Sequence, residues 1–427
     1  MHPMAQAEFH EVESSSQQQR VVLAALADPE SDWEESLAEL ERLADTANAQ
    51  VMAIFTQRRS TPDPKTYLGK GKVEEIREAL ERCDSELLII DGDVSASQQR
   101  NLEKILEAQV IDRTGLILDI FARRAHTAEG KLQVELAQLE YLLPRLANMW
   151  SHLERIRGGI GLRGPGETQI ETDRRLVRDR IAMLQRKVEE IRHRRTVQRS
   201  QRAQSQIPLI SLVGYTNAGK STLLNAVSSA GVFVEDKLFA TLDPTTRDVN
   251  LPEGTRVLVS DTVGFIRNLP TQVIDAFRAT LEEVVSAEVL IHVIDASNPG
   301  WVEQVETVEQ VLHDLGASEK PVIMAFNKMD QVEDPLLLRQ LAERYPYVVF
   351  LSAQRGEGLA ELEGEIVAVL RARCQDLDIV LPLAAGALVA ELHARGEVSL
   401  EEYFESEVHL RARAPADLAA RIRAKAV

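Results

Sequence analysis

The sequence predicts an α/β, multidomain protein with a central doubly wound domain. An N-terminal α/β subdomain carrying an antiparallel helical hairpin precedes it, and a small C-terminal α/β module follows. Three observations predict this. Short apolar runs alternate with amphipathic stretches along most of the chain, the pattern of strands joined by crossover helices. Between residues 126 and 200 the apolar spacing changes to a heptad step, which marks two long helices. Beyond residue 206, four polar motifs stand at the ends of successive apolar runs, where an open α/β sheet binds its ligand.

The bulk numbers set the limits. A chain of 427 residues exceeds one ordinary core and suggests roughly two to four domains. With 44% hydrophobic and 27% charged residues it has the composition of a globular protein. No apolar run approaches the roughly 18 residues of a membrane span, so membrane insertion is not expected. Residues 1–20 are polar and read as a flexible leader. Cys83 and Cys374 are the two cysteines and lie far apart. A disulfide framework and a zinc site are therefore not expected, and a reducing cytoplasm is the default setting. The net charge of -18 argues against non-specific nucleic-acid binding, DNA included. Yet Arg174 to Arg202 holds eleven basic against three acidic residues, a local excess that stands out from the acidic remainder.

In order, the elements are as follows. Residues 21–125 read as the N-terminal α/β subdomain, with strands near 21–26, 51–56 and 86–90 and helices near 34–47, 71–82 and 97–107. The first helix opens on a capping-box pattern, Ser31 to Glu34. Asp91 and Asp93 read as a loop and helix-cap pair rather than a catalytic one. Residues 126–200 read as the hairpin. Leu132, Leu136, Leu139, Leu143, Leu146, Trp150 and Leu153 form one seam, and Val177, Ile181, Leu184, Val188 and Ile191 the other. Pro144 should kink the first helix. The tip between them, Gly158 to Gln169, has five glycines in twelve residues. Residues 206–373 form the central domain and 374–427 the C-terminal module, with strands near 377–381 and 407–413 and helices near 384–394 and after Pro415.

Chemistry concentrates in the central domain. Gly214, Tyr215, Thr216, Asn217, Ala218, Gly219, Lys220 and Ser221 fit the phosphate-binding (P-loop) pattern between an apolar strand and a helix, with Thr222 following. Such a loop turns backbone N–H groups toward phosphates at a helix N-terminus. Lys220 is expected on the β- and γ-phosphates and Ser221 on Mg²⁺. Asp261, Thr262, Val263 and Gly264 follow the next strand. There a carboxylate can hold the Mg²⁺ shell and the Gly264 N–H can sense the γ-phosphate. Asn327, Lys328, Met329 and Asp330 follow another. Asp330 can accept guanine N1–H and N2–H, Asn327 can bind the base edge, and Lys328 can cover it. Ser352, Ala353 and Gln354 end a fourth, with backbone donors for guanine O6. Four motifs in this order predict a P-loop GTPase domain with GTP as its ligand.

The first switch falls between the loop helix and Asp261. Phe239, Ala240, Thr241, Leu242 and Asp243 lead into Pro244, Thr245, Thr246 and Arg247, and any of the three threonines can supply a second Mg²⁺ ligand. Phe265 stands where many GTPases place a water-orienting Gln, which predicts slow intrinsic turnover. Asn217 resembles the loop asparagine of GTPases that recruit K⁺, making potassium a candidate beside Mg²⁺.

The tip signature Gly158-Gly-Ile-Gly-Leu-Arg-Gly-Pro-Gly-Glu-Thr-Gln169 and the segment Asp261-Thr-Val-Gly-Phe-Ile-Arg267 together resemble the HflX family of GTPases. The resemblance covers all but the leader. It implies Thr241 as the second Mg²⁺ ligand, and so Lys220, Thr241 and Gly264 as the catalytic set. It also implies a cytoplasmic GTP hydrolase, expected to be a monomer, that binds the large ribosomal subunit. Such proteins are implicated in splitting stalled or idle ribosomes, and in subunit biogenesis. On that reading Arg157, Gly158, Gly159, Arg163, Gly164 and Gly166 contact ribosomal RNA, arginines on phosphates and glycines allowing close approach. A signalling switch that grips a protein through the hairpin is the rival from another class.

Overall fold

A computed structural model describes residues 18–30, 32–149, 174–191, 207–228, 241–243, 245–267 and 283–426, with single residues 172, 193, 238, 239 and 281. The chain divides into two compact units, Met1–Arg123 with Gln138–Asp179, and Arg124–Ala137 with Arg180–Val427.

The first unit is built on β1 (Gln19–Ala27), α1 (Trp33–Thr46), β2 (Ala49–Arg58), α2 (Lys70–Cys83), β3 (Leu87–Asp91), α3 (Ala96–Leu106), β4 (Gln109–Asp112) and α4 (Arg113–Arg124). Its four strands are parallel in the order β2-β1-β3-β4. Val22, Ala24, Leu88, Ile90 and Val110 meet Ile76, Leu80 and Leu102 of the helices in one core, as near-continuous apolar strands of a parallel sheet require. Strand β4 and helix α4 have no counterpart among the sequence expectations, because a four-residue strand runs directly into a helix without a turn signal. The cap of α1 is Asp32, whose side chain makes no capping bond. The complete capping box lies at α3 instead, between Ser95 and Gln98. Asp91 pairs with the buried Arg113 at 2.8 Å, and Glu39 pairs with the same guanidinium. Burying one charge beside two partners makes this triad structural.

Helix α5 (Ala128–Met149) continues through Pro144, and α6 covers 174–191. On α5 the buried positions include Val134, Leu136, Ala137 and Tyr141, a wider face than the leucine seam. On α6 they are Ile181, Leu184 and Val188, at the expected step. Trp150, Leu153 and the glycine-rich tip lie outside the described residues.

The second unit holds two sheets. The larger comprises β5 (Leu209–Val213), β6 (Thr245–Asn250), β7 (Arg256–Asp261), β8 (Val289–Asp295), β9 (Val322–Asn327) and β10 (Val348–Phe350). Their order is β10-β9-β8-β5-β7-β6, parallel except for the edge strand β6. Helix α7 (Lys220–Val227) follows β5. Helices α8 (Trp301–Asp314), α9 (Pro335–Ala342) and α10 (Leu359–Ala372) connect or follow the later strands. Ile210, Leu212, Val257, Val259, Ile291, Val293, Ile323 and Ala325 fill one face with α7 and α10. Ile294, Met324 and Phe326 pack with Trp301 on the other. The smaller sheet is antiparallel, β11 (Cys374–Pro382), β13 (Glu407–Pro415) and β12 (Glu397–Tyr403), with helices α11 (Gly386–Arg395) and α12 (Ala416–Arg423). Within this smaller sheet, the acidic β12 is the strand without a counterpart in the sequence expectation.

Candidate functional site

The motifs of the second unit follow the carboxyl ends of β5, β7, β9 and β10, where a doubly wound sheet leaves a crevice. Strand β5 delivers the loop 214–219, and α7 begins at Lys220. Gly219 has φ of 95°, in the left-handed region, and a Cβ there would collide with the amide of Asn327. Only glycine turns the loop into the helix at that place.

Lys220 is 6% exposed. Its ammonium donates to the carbonyls of Gly214 at 3.0 Å and Tyr215 at 2.8 Å. Burial lowers its pKa from 10.5 to about 8, against the opposing pull of Asp261. A buried cation held by neutral carbonyls suits a polyanion. Ser221 Oγ lies 2.6 Å from Asp261 Oδ2 and 2.7 Å from Thr241 Oγ1. The Asp261 carboxyl is 1% exposed, and its other oxygen has no hydrogen-bond partner among the described residues. Burial raises its pKa, opposed by Lys220, Ser221 and Thr241. Three hard oxygens with a buried, under-partnered carboxylate fit Mg²⁺. Thr245 and Thr246 instead open β6.

The second switch begins against the loop. Phe265 N donates to Gly214 O at 3.1 Å, and Thr216 N donates to Phe265 O at 2.8 Å. A Cβ on Gly264 would fall 2.8 Å from Thr216 Cα and 3.2 Å from the Lys220 ammonium. Gly264 is therefore the one residue type that lets the switch backbone approach the lysine. Thr262 Oγ1 donates to Leu212 O at 2.6 Å, the Arg267 N–H donates to Tyr215 Oη at 2.8 Å, and Val263 is buried. The Phe265 ring is 1% exposed and has no group to orient water. Asn217 is exposed with φ of 62°, Ala218 is buried, and Thr222 is half-buried in the first turn of α7.

At the base end, Asn327 joins two loops. Its Nδ2 donates to Ala218 O at 2.9 Å, and its Oδ1 accepts from Ala353 N at 2.9 Å. Both amide atoms tie the phosphate loop to the 352–354 loop, and the amide nitrogen keeps a second donor beyond this tie. Lys328, in the left-handed region at φ of 63°, donates to Asp295 Oδ2 at 2.6 Å. Asp330 is held ionised: a Ser352 hydrogen bond is the leading cause of its lowered pKa, with Arg355 and Lys328 adding charge. Met329 N donates to Leu351 O at 3.2 Å, joining the two base loops, and Gln354 is exposed.

In the first switch, the Phe239 side chain is 2% exposed. Asp243 directs its carboxylate to the backbone N–H groups of His126 and Thr127. Leu242 between them is buried. Ala240 and the tip residues Arg157, Gly158, Gly159, Arg163, Gly164 and Gly166 lie outside the described residues. Sequence reasoning missed Asp295, Arg355 and His292. A carboxylate ending the apolar run of β8 was the available signal for Asp295. Nothing local marks Arg355, which lies 3.6 Å from Asp330, or His292, which is buried and feels the Lys220 charge.

Residues 34–122 match the family described as "GTP-binding GTPase N-terminal", 124–202 match "GTP-binding GTPase Middle Region", and 209–328 match "50S ribosome-binding GTPase". The chain is 44% identical to the GTPase HflX of Lacrimispora saccharolytica over 408 residues, covering 95% of this chain and 96% of that one. It is 45% identical to the Escherichia coli GTPase HflX over 385 residues, covering 89% and 90%. Among solved structures, a GTP-binding protein of the archaeon Sulfolobus solfataricus in complex with GDP is similar at 26% identity. It aligns with a TM-score of 0.45 over 82% of this chain and 98% of that chain.

Proposed function

The chain belongs to the HflX family of GTPases, and from that premise we propose that it binds the large ribosomal subunit in its GTP state and dissociates stalled or idle ribosomes under stress. GTP binding and hydrolysis follow from the family and the P-loop domain. The observation that carries the switch is the cluster of Ser221, Thr241 and Asp261, which links the phosphate loop to both switches. Mg²⁺ held there would neutralise phosphate charge. Around it, Lys220 binds the triphosphate, Gly264 lets the second switch approach, and Asp330 accepts the guanine edge.

The ribosome enters through the family description for 209–328 and the arginine- and glycine-rich tip at 157–166. Residues 21–125 and 126–200 would form the binding arm, 206–373 the switch and 374–427 an accessory module, working as a cytoplasmic monomer. Among the described residues no helix is long and apolar enough to cross a membrane. Phe265 in place of a water-orienting group supports slow turnover until a partner orders the switches. Asn217, exposed on the loop, supports a K⁺ beside the phosphates that adds charge compensation. Hydrolysis faster in potassium than in matched sodium buffer supports that cation, and equal rates remove it.

Sedimentation with ribosomes under a non-hydrolysable GTP analogue or GDP tests the main reading. Analogue-dependent binding to mature large subunits, with loss of intact ribosomes, is expected. Enrichment on precursor subunits would instead establish a biogenesis role. No association would leave a switch for a protein partner.

A further inference from the structure

We infer that Asp243 is a positioning residue for GTP hydrolysis, which holds Thr241 at the metal site by docking the first switch onto the N-terminus of α5. All groups involved lie in the second unit. Asp243 Oδ2 accepts the backbone N–H of His126 at 3.0 Å and of Thr127 at 2.9 Å. Its Oδ1 accepts the Thr127 hydroxyl. Thr127 is itself the cap of α5: its hydroxyl accepts Gly130 N–H at 3.0 Å, and its carbonyl accepts Lys131 N–H at 3.0 Å. The carboxylate thus takes two backbone donors just ahead of the first turn of a 22-residue helix, at the positive end where an anion is stabilised.

Two residues upstream, Thr241 Oγ1 lies 2.7 Å from Ser221 Oγ, and Leu242 between them is buried. The short segment is therefore fixed at both ends and in the middle. Gly130 supports the same reading. Alanine is the better helix former at such a position, yet a Cβ there would fall 2.5 Å from Asp243 Oδ1. The glycine makes room for a switch residue 113 positions away (243 minus 130). Coupling of this kind is reciprocal, so the first turn of α5 is tightened when Thr241 is engaged.

The inference rests on Thr241 as a metal ligand, and its test separates the two ideas. Asp243→Asn, Gly130→Ala and Thr241→Ala would be made in the full chain. Each would be compared for single-turnover GTP hydrolysis, GDP affinity, thermal midpoint, and amide exchange at 126–131 and 241–243 with Mg²⁺ and a GTP analogue. Displacing Thr241 is expected to slow hydrolysis by roughly 10–100-fold in Asp243→Asn and Gly130→Ala. Exchange at both segments should quicken, while GDP affinity and thermal midpoint stay at wild-type values. Gly130→Ala separates docking from helix stability, since it should favour the helix and still impair hydrolysis. Wild-type rates in both variants beside an impaired Thr241→Ala would overturn the docking while leaving the metal ligand in place. A wild-type rate in Thr241→Ala would overturn both. Losses matched by equal losses of GDP affinity and midpoint would mark the contact as structural only, which also overturns the inference.

Discussion

Asp330 is the residue proposed to carry the choice of base. Its carboxylate is held ionised by Ser352 and neighbouring cations, so it can accept two N–H groups from guanine. The Asp330→Asn variant turns one acceptor into a donor. Loss of two charge-assisted bonds should weaken GTP binding by about 3 kcal/mol or more, roughly two orders of magnitude. Xanthosine triphosphate, which presents a carbonyl in place of the amino group, should gain affinity; an unchanged preference for GTP in competition binding would refute the assignment. Because the pKa is lowered, the wild-type contribution should persist through the ordinary carboxylate range and fade only at lower pH. Lys220 makes the opposite kind of statement. Its pKa of about 8 results chiefly from burial, and a triphosphate beside it favours the charged form. Above pH 8, binding of the nucleotide should therefore take up a proton. Calorimetry at pH 8.5 in buffers of different ionisation enthalpy reads this directly, and identical enthalpies would refute it.

Strand β8 shows what an element adds to its residues. It runs Val289–Asp295 through the centre of the sheet, and its His292 is fully buried, with burial first and Lys220 second pushing the pKa down to about 3. A histidine neutral in the fold and ordinary when unfolded costs stability as pH falls below about 6.5 toward 3. Between pH 7 and pH 5 the loss should be on the order of 1–2 kcal/mol for this domain. His292→Leu should flatten that slope in urea unfolding at the two pH values; an unchanged slope would assign the acid sensitivity elsewhere. At this scale the sequence was legible wherever the signal is local. The phosphate loop, the Asp261–Gly264 turn and the Asn327–Asp330 turn each combine an apolar run with a polar end, so their sites at the sheet crevice could be read directly. Contacts between distant segments could not. The Asn327 tie to Ala218 spans 109 positions and the Asp243 tie to Thr127 spans 116, and no periodicity encodes either. Strand β12, with Glu397, Glu401 and Glu402 among seven residues, was hidden because its alternation rests on two apolar residues, Val398 and Leu400, before the acidic pair breaks it.

For the whole molecule, the charge distribution and the switch point the same way. A chain of net charge -18 is repelled by most nucleic acid, so the proposed binding to ribosomal RNA would draw on a local basic run of sequence such as Arg174–Arg202. Its first switch is tied to Ser221 and its second begins at a buried Phe265 that offers water nothing. Both features fit the proposed enzyme that waits for its partner. The most direct measurement is the single-turnover rate of GTP hydrolysis by the purified chain, alone and with saturating large ribosomal subunits. Slow turnover alone and an increase of about tenfold or more with subunits is the expected result. Fast turnover alone, unchanged by the subunits, would contradict it.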